Sequence, residues 1–176
     1  VGKYKRWRIY MTNQIHIQWD GPFSLEQIKL MNTRTDYGLY QVYGTHTVYG
    51  SNVLLYIGQA TYQTFGTRIL QHSKWGYVPD EKELKVYVGR FAGNEPVTEE
   101  EWNAQISIAE KLLIFTHSPA LNSANINSTG NSVPIETHIY NWGNRRNLLP
   151  EVSALRYLYN DDEHFPTYSI YGQEFA

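Results

Sequence analysis

Apolar and polar positions alternate loosely over residues 5–19, among many β-branched and aromatic side chains, and this pattern predicts one or two strands. Asp20-Gly21-Pro22 follows as a turn signal. Ser24 stands where an N-cap would, ahead of Leu25, Ile28 and Leu30, and predicts a short helix ending near Asn32. Alternation returns over 37–43 and again over 53–59, giving two strands. The polar, glycine-bracketed stretch 44–52 between them reads as a long hairpin loop.

Residues 65–75 read as a helix with Phe65, Ile69 and His72 on one side, and 84–91 as a third strand closed by Gly93-Asn94. The clearest helix follows. Thr98 and Glu101 form a capping box, and Glu99, Glu100 and Glu101 favour the positive end of the helix dipole. Trp102, Ile106, Ala109 and Leu113 then fall within ~60° on a helical wheel, a narrow core stripe, until Ser118-Pro119 stops the helix. Residues 122–132, rich in Asn and Ser, read as a loop. Over 133–176 short apolar groups recur without a firm period, and 152–159 fits a helix or a strand equally.

Composition narrows the possibilities. A chain of 176 residues suits one domain with a real core, so residues 1–176 are expected to form a single unit. Its formal charge of −2 creates no overall attraction to nucleic acid, so any such surface must be a local patch. Lys3, Lys5, Arg6 and Arg8 form one basic cluster and Arg145-Arg146 another. With no cysteine there can be no disulfide, zinc thiolate or thiol nucleophile. Neither a signal peptide nor an apolar run of ~20 residues is evident, so a cytoplasmic protein without membrane contact is expected. Fifteen tyrosines suggest a sheet surface with polar edges.

A few residues could carry chemistry. Alternation puts Tyr40 on the side of Gly38 and Val42, and Tyr56 on the side of Leu54 and Gly58. In the right register both phenols reach one face, with the glycines leaving room for an approaching group; either tyrosine could equally be a packing residue. Arg68 and His72 lie one helical turn apart. An arginine fork can hold two phosphate oxygens, and a histidine can exchange a proton. Glu110 flanks the apolar stripe, where a partly desolvated carboxylate needs a partner, either a structural cation or a metal. The remaining histidines show no metal-ligand spacing, and no glycine-rich phosphate loop or nucleophile elbow is present.

Taken in order, these residues resemble the GIY-YIG nuclease family over 37–122. Gly38-Leu39-Tyr40 stands for the first motif, and Tyr56-Ile57-Gly58-Gln59 matches the second. Arg68 and His72 stand for the helical arginine and histidine, Glu110 for the metal-binding glutamate, and Asn122 for the terminal asparagine. The resemblance implies an α+β fold: a small three-stranded antiparallel sheet flanked by helices, with 1–36 and 123–176 as extensions packed on it. It also implies metal-dependent hydrolysis of DNA. Glu110 would hold Mg²⁺, for which Mn²⁺ could substitute, and Arg68 would stabilise charge developing on the phosphate. Tyr40, helped by His72 and Tyr56, would take the proton of the attacking water, while Gly38, Gly58 and Asn122 would shape the substrate site. The loop 44–52 is longer than the family's usual connection, and the two extensions suggest a restriction-type enzyme. The alternatives are a non-catalytic nucleic-acid-binding module on the same scaffold, or a nuclease acting on RNA or branched DNA.

Overall fold

The computed structural model describes residues 13–71, 83–92 and 98–158. Its organising element is β1 (Asn13–Phe23), whose Ile15, Ile17 and Trp19 alternate inward and are essentially unexposed. The expected turn at Asp20-Gly21-Pro22 is not made. The strand runs through it with a bulge between Asp20 and Phe23, where Gly21 takes a φ of 143°. Ser24 then caps α1 (Leu25–Ile28) reciprocally with Gln27, but this helix is a single turn, and Leu30, expected on its apolar side, is 81% exposed.

β2 (Gly38–His46) and β3 (Gly50–Ala60) pair antiparallel, and β2 also pairs with β4 (Lys85–Ala92). The long loop expected over 44–52 is mostly strand. His46 Nδ1 accepts the amides of Val48 and Tyr49 at 3.2 and 3.3 Å, and its ring stacks on Tyr49, so three residues close the turn. α2 (Phe65–Leu70) begins at a Thr64 cap; the expected continuation from residue 72 lies outside the described residues. α3 (Glu99–His117) forms as its sequence predicts, with the Thr98–Glu101 capping box at one end and Ser118 in the left-handed region at the other.

The sheet itself corrects the expected fold. It is not a small three-stranded antiparallel sheet flanked by helices but a six-stranded mixed sheet, in the order β3-β2-β4-β1-β5-β6, with few helices. β1 lies antiparallel to β4 and parallel to β5 (Thr137–Gly143), and β6 (Glu151–Ser153) closes the far edge. The physical cause lies in β4, whose Val86, Tyr87 and Val88 are buried on both faces. Such a strand is stable inside a sheet and a poor open edge, and β1 supplies the missing ladder. Of residues 152–159, which fit helix or strand equally, 152–158 are divided between β6 and α4 (Ala154–Leu158), and 159 lies outside the described residues.

Two apolar layers result. One face of the sheet packs Ile17, Trp19, Leu39, Ile57 and Ile139 against Ile106, Ala109 and Leu113 of α3. The other packs Tyr40, Val42, Tyr56, Val86 and Val88 under Ile28 of α1 and Phe65 and Ile69 of α2. Beyond those helices, the β1–β5 half of this second face carries a ladder of rings. His138, Tyr140 and His16 stack at 5.0 and 4.9 Å, and Trp142 donates its indole hydrogen to His16 Nδ1 at 3.0 Å.

Candidate active site

β3 is an edge strand, so every second residue directs its N–H and C=O away from β2 and needs another partner. These outward groups organise the site. The Ala120 and Leu121 amides donate to the Leu54 and Leu55 carbonyls at 3.1 and 2.8 Å. Asn122 then clamps Ile57 from both sides: its Oδ1 accepts the Ile57 amide at 3.0 Å, and its Nδ2 donates to the Ile57 carbonyl at 2.9 Å. The next outward residue is Gln59. Its amide donates to the Glu110 carboxylate, and its carbonyl accepts Arg68 Nε at 3.4 Å. One residue of the edge strand therefore holds a carboxylate from α3 and a guanidinium from α2. The Gln59 side chain adds a third tie, accepting Ser107 Oγ of α3 at 3.1 Å.

Tyr40 and Tyr56 complete the cluster, their ring centroids 6.0 Å apart, with Arg68 hydrogen-bonded to the Tyr40 hydroxyl. Both rings are buried, Tyr40 entirely. Burial drives the Tyr40 phenol well above its ordinary value; Tyr56 and Glu110 push the same way, and Arg68 offsets them only in part. Tyr56 is raised too, by burial and then by the Glu110 charge. Glu110 itself is pushed up to about 7 by burial, against the pull of Arg68, Lys111 and the Gln59 amide. At neutral pH the cluster therefore holds two protonated phenols, a guanidinium and a carboxyl poised between its charged and neutral forms.

The structure thus brings together Tyr40, Tyr56, Arg68 and Glu110, while His72 lies outside the described residues. The space the glycines leave is taken up by the protein. A Cβ on Gly58 would lie 2.5 Å from the tip of the Tyr40 ring and 2.6 Å from Tyr56, so Gly58 accommodates the two phenols. Gly38, at a φ of 137°, would direct a Cβ into the Gly89 carbonyl of β4. Both amide groups of Asn122 are engaged by the Ile57 backbone, which gives it a positioning role at the strand edge. Gln59 was missed as a functional residue. Its role lies in its backbone, and only knowledge that β3 is an edge strand could have revealed it.

The basic clusters fare differently. Arg146 lies 5.6 Å over the Tyr43 ring, and the Arg145 guanidinium donates to the Leu148 carbonyl, so both serve the loop after β5. That loop is tied to the core by Gln41, which accepts Tyr43 Oη at 2.8 Å and donates to the Arg145 carbonyl at 3.2 Å; burial pushes the Tyr43 phenol up to about 12. The N-terminal cluster lies outside the described residues.

Glu110 is the one carboxyl of the cluster that could hold a small hard cation, which would keep water for most of its shell. Among the described residues, no three His, Cys, Asp or Glu side chains are grouped to hold a metal by themselves. No helix among them is long and apolar enough to cross a membrane. Comparison with known proteins gives no match to a family model, a curated protein or a solved structure.

Proposed function

We propose that this chain is a Mg²⁺-dependent endonuclease that hydrolyses DNA phosphodiester bonds. The observation carrying this reading is the convergence of Glu110, Arg68, Tyr40 and Tyr56 at the Gln59 peptide, with the Glu110 carboxyl raised to about 7. Burial of this carboxyl outweighs the pull of Arg68, Lys111 and the Gln59 amide, and a divalent cation would add positive charge beside it. The GIY-YIG resemblance, carried by the same residues in the same order, gives the reading its direction.

In this site Glu110 would hold the ion, and Arg68 would neutralise charge on the non-bridging oxygens as water attacks phosphorus and the P–O bond breaks. When bound there, Mg²⁺ would polarise the phosphate and would supply positive charge that lowers the neighbouring phenols. Tyr40, once ionised, would accept the proton of the attacking water; its raised pKa keeps the phenol protonated in the protein alone. Tyr56 supports its ring, and His72 would help Tyr40 take that proton, as the resemblance implies. A cytoplasmic location, a restriction-type role and Mn²⁺ as a substitute ion belong to the same proposal, the first resting on a cysteine-free chain.

The complete burial of Tyr40 favours a second reading, a non-catalytic nucleic-acid-binding module. Incubation with supercoiled plasmid and phage DNA, in Mg²⁺ and in EDTA, separates the two. We expect metal-dependent products that Glu110→Ala abolishes while its circular dichroism stays that of the parent. Cleavage retained by Glu110→Ala overturns the assignment. DNA binding that is indifferent to Mg²⁺, without any cleavage, selects the module.

A further inference from the structure

A cleft of about 1140 Å³, larger than the ~300–1,000 Å³ of most small-molecule sites, is lined by the start of α3 and by the segments that precede β2 and follow β3. That size suits a length of polymer better than an enclosed metabolite. Its walls include Tyr62 after β3, Arg34 before β2, Trp102 and Asn103 on α3, and His16 at the near end of the ring ladder. The cleft and the cluster share α3. Asn103, Ser107 and Glu110 follow one another along one face of α3, and Ser107 is bonded to Gln59. Tyr62 stands three residues beyond Gln59.

Tyr62 is the unusual residue. Its ring is 74% exposed, although nothing in the packing of the core calls for an aromatic side chain there. Its backbone sits at a φ of 60°, a left-handed region that bulky residues rarely occupy. Glycine would fit this turn without strain. Exposed Arg34 also lines the cleft, in a loop tied down by Asp36. Asp36 Oδ2 accepts both the amide and the hydroxyl of Thr33 at 2.8 Å, and its Oδ1 is bound by Arg90 at 2.7 Å. Burial raises the Asp36 carboxyl, and these donors outweigh it, so the residue stays charged and the loop stays pinned. On the Trp102 wall, Asn103 keeps a buried Nδ2 without a hydrogen-bond partner.

We infer that this cleft receives an unpaired nucleotide flanking the scissile phosphodiester, its base stacked on Tyr62 and its phosphate held by Arg34. The inference rests on the nuclease reading for its direction and names the substrate feature that the site selects. An exposed ring held by a strained backbone is a platform for a flat partner, and stacking tolerates any base. The Arg34 cation supplies the sequence-independent attraction to phosphate. A fully paired duplex offers its bases only as edges, so it cannot cover the Tyr62 ring.

Binding in EDTA, where no cleavage occurs, tests the idea on the whole chain. The probes are a fluorescein-labelled 12-nucleotide single strand, its duplex, and the duplex with one unpaired nucleotide. Tyr62→Gly removes the ring and relieves the backbone, so it should melt no lower than the parent. We expect it to bind the single strand and the bulged duplex about tenfold more weakly, with Tyr62→Phe within about twofold of the parent. Arg34→Gln should weaken binding and reduce the slope of log affinity against log salt by about one. Equal binding by Tyr62→Gly and the parent overturns the inference, as does an equal loss on the intact duplex or no binding of any probe. If these losses are seen but the parent never cleaves in Mg²⁺, the cleft stands and the nuclease reading falls. If the parent cleaves and Tyr62→Gly binds and cleaves alike, the cleft falls alone.

Discussion

At the residue scale, Glu110 gives the site a pH signature that is separable from catalysis. Its carboxyl ionises near the ordinary 4.5 in the unfolded chain and at about 7 in the folded one. Between those values the unfolded chain has released the proton that the folded chain keeps, so folding becomes less favourable as pH rises. The stability is fully present below pH 4.5 and is lost through about pH 7, a difference of roughly 3 kcal/mol. Gln cannot ionise, so Glu110→Gln escapes that loss. In EDTA, its melting temperature should exceed the parent's by several degrees at pH 8 and by much less at pH 5. The same offset at both values would show that Glu110 is better solvated than its surroundings here imply. The sequence made Glu110 visible because a carboxylate beside an apolar stripe is conspicuous. It left the second half of the arrangement hidden, because the Gln59 peptide that orients Glu110 has no side-chain signature.

At the scale of single elements, β3 shows how an edge strand is protected and put to use in one stroke. Its outward groups are met in turn by the 120–121 backbone, by the Asn122 amide, and by Glu110 and Arg68. Loss of the clamp should therefore loosen the strand that carries Tyr56 and anchors both charged groups. Asn122→Ala leaves the Ile57 amide and carbonyl without their partners, at a cost of about 2–3 kcal/mol. Urea unfolding should register this as a lower midpoint at unchanged slope, and hydrogen exchange should quicken at Ile57 before Ile139. An unaltered midpoint would mean that water replaces the amide freely. α3 was legible in full because cap, charge and period agree along it. β5 was not, because Thr137 and Asn141 occupy its core-facing positions. Thr137 is buried, and Asn141 accepts the Trp19 indole at 2.9 Å and donates to the Leu149 carbonyl at 2.8 Å, so a period of two was present but polar.

At the scale of the whole molecule, β1 is the seam. It joins the antiparallel β3-β2-β4 half, which carries the candidate site, to β5 and β6, with Asn13 paired to Thr137 across most of the chain. A parallel pairing over such a separation leaves no local mark in sequence, since neither strand shows which partner it will find. This is why a three-stranded sheet was expected and six strands formed. A continuous ladder through a buried strand also predicts how the molecule unfolds. Ile17 is unexposed and sits opposite Phe91 on one side and Asn141 on the other, so its side chain is shared by both halves. Ile17→Ala should cost about 2–5 kcal/mol, and a single transition should move as a whole. Native-state hydrogen exchange at Ile57 in one half and Ile139 in the other should then accelerate by the same factor. Acceleration confined to Ile139 would show that the half carrying the site holds together without β1, and that the seam joins two separately folding units.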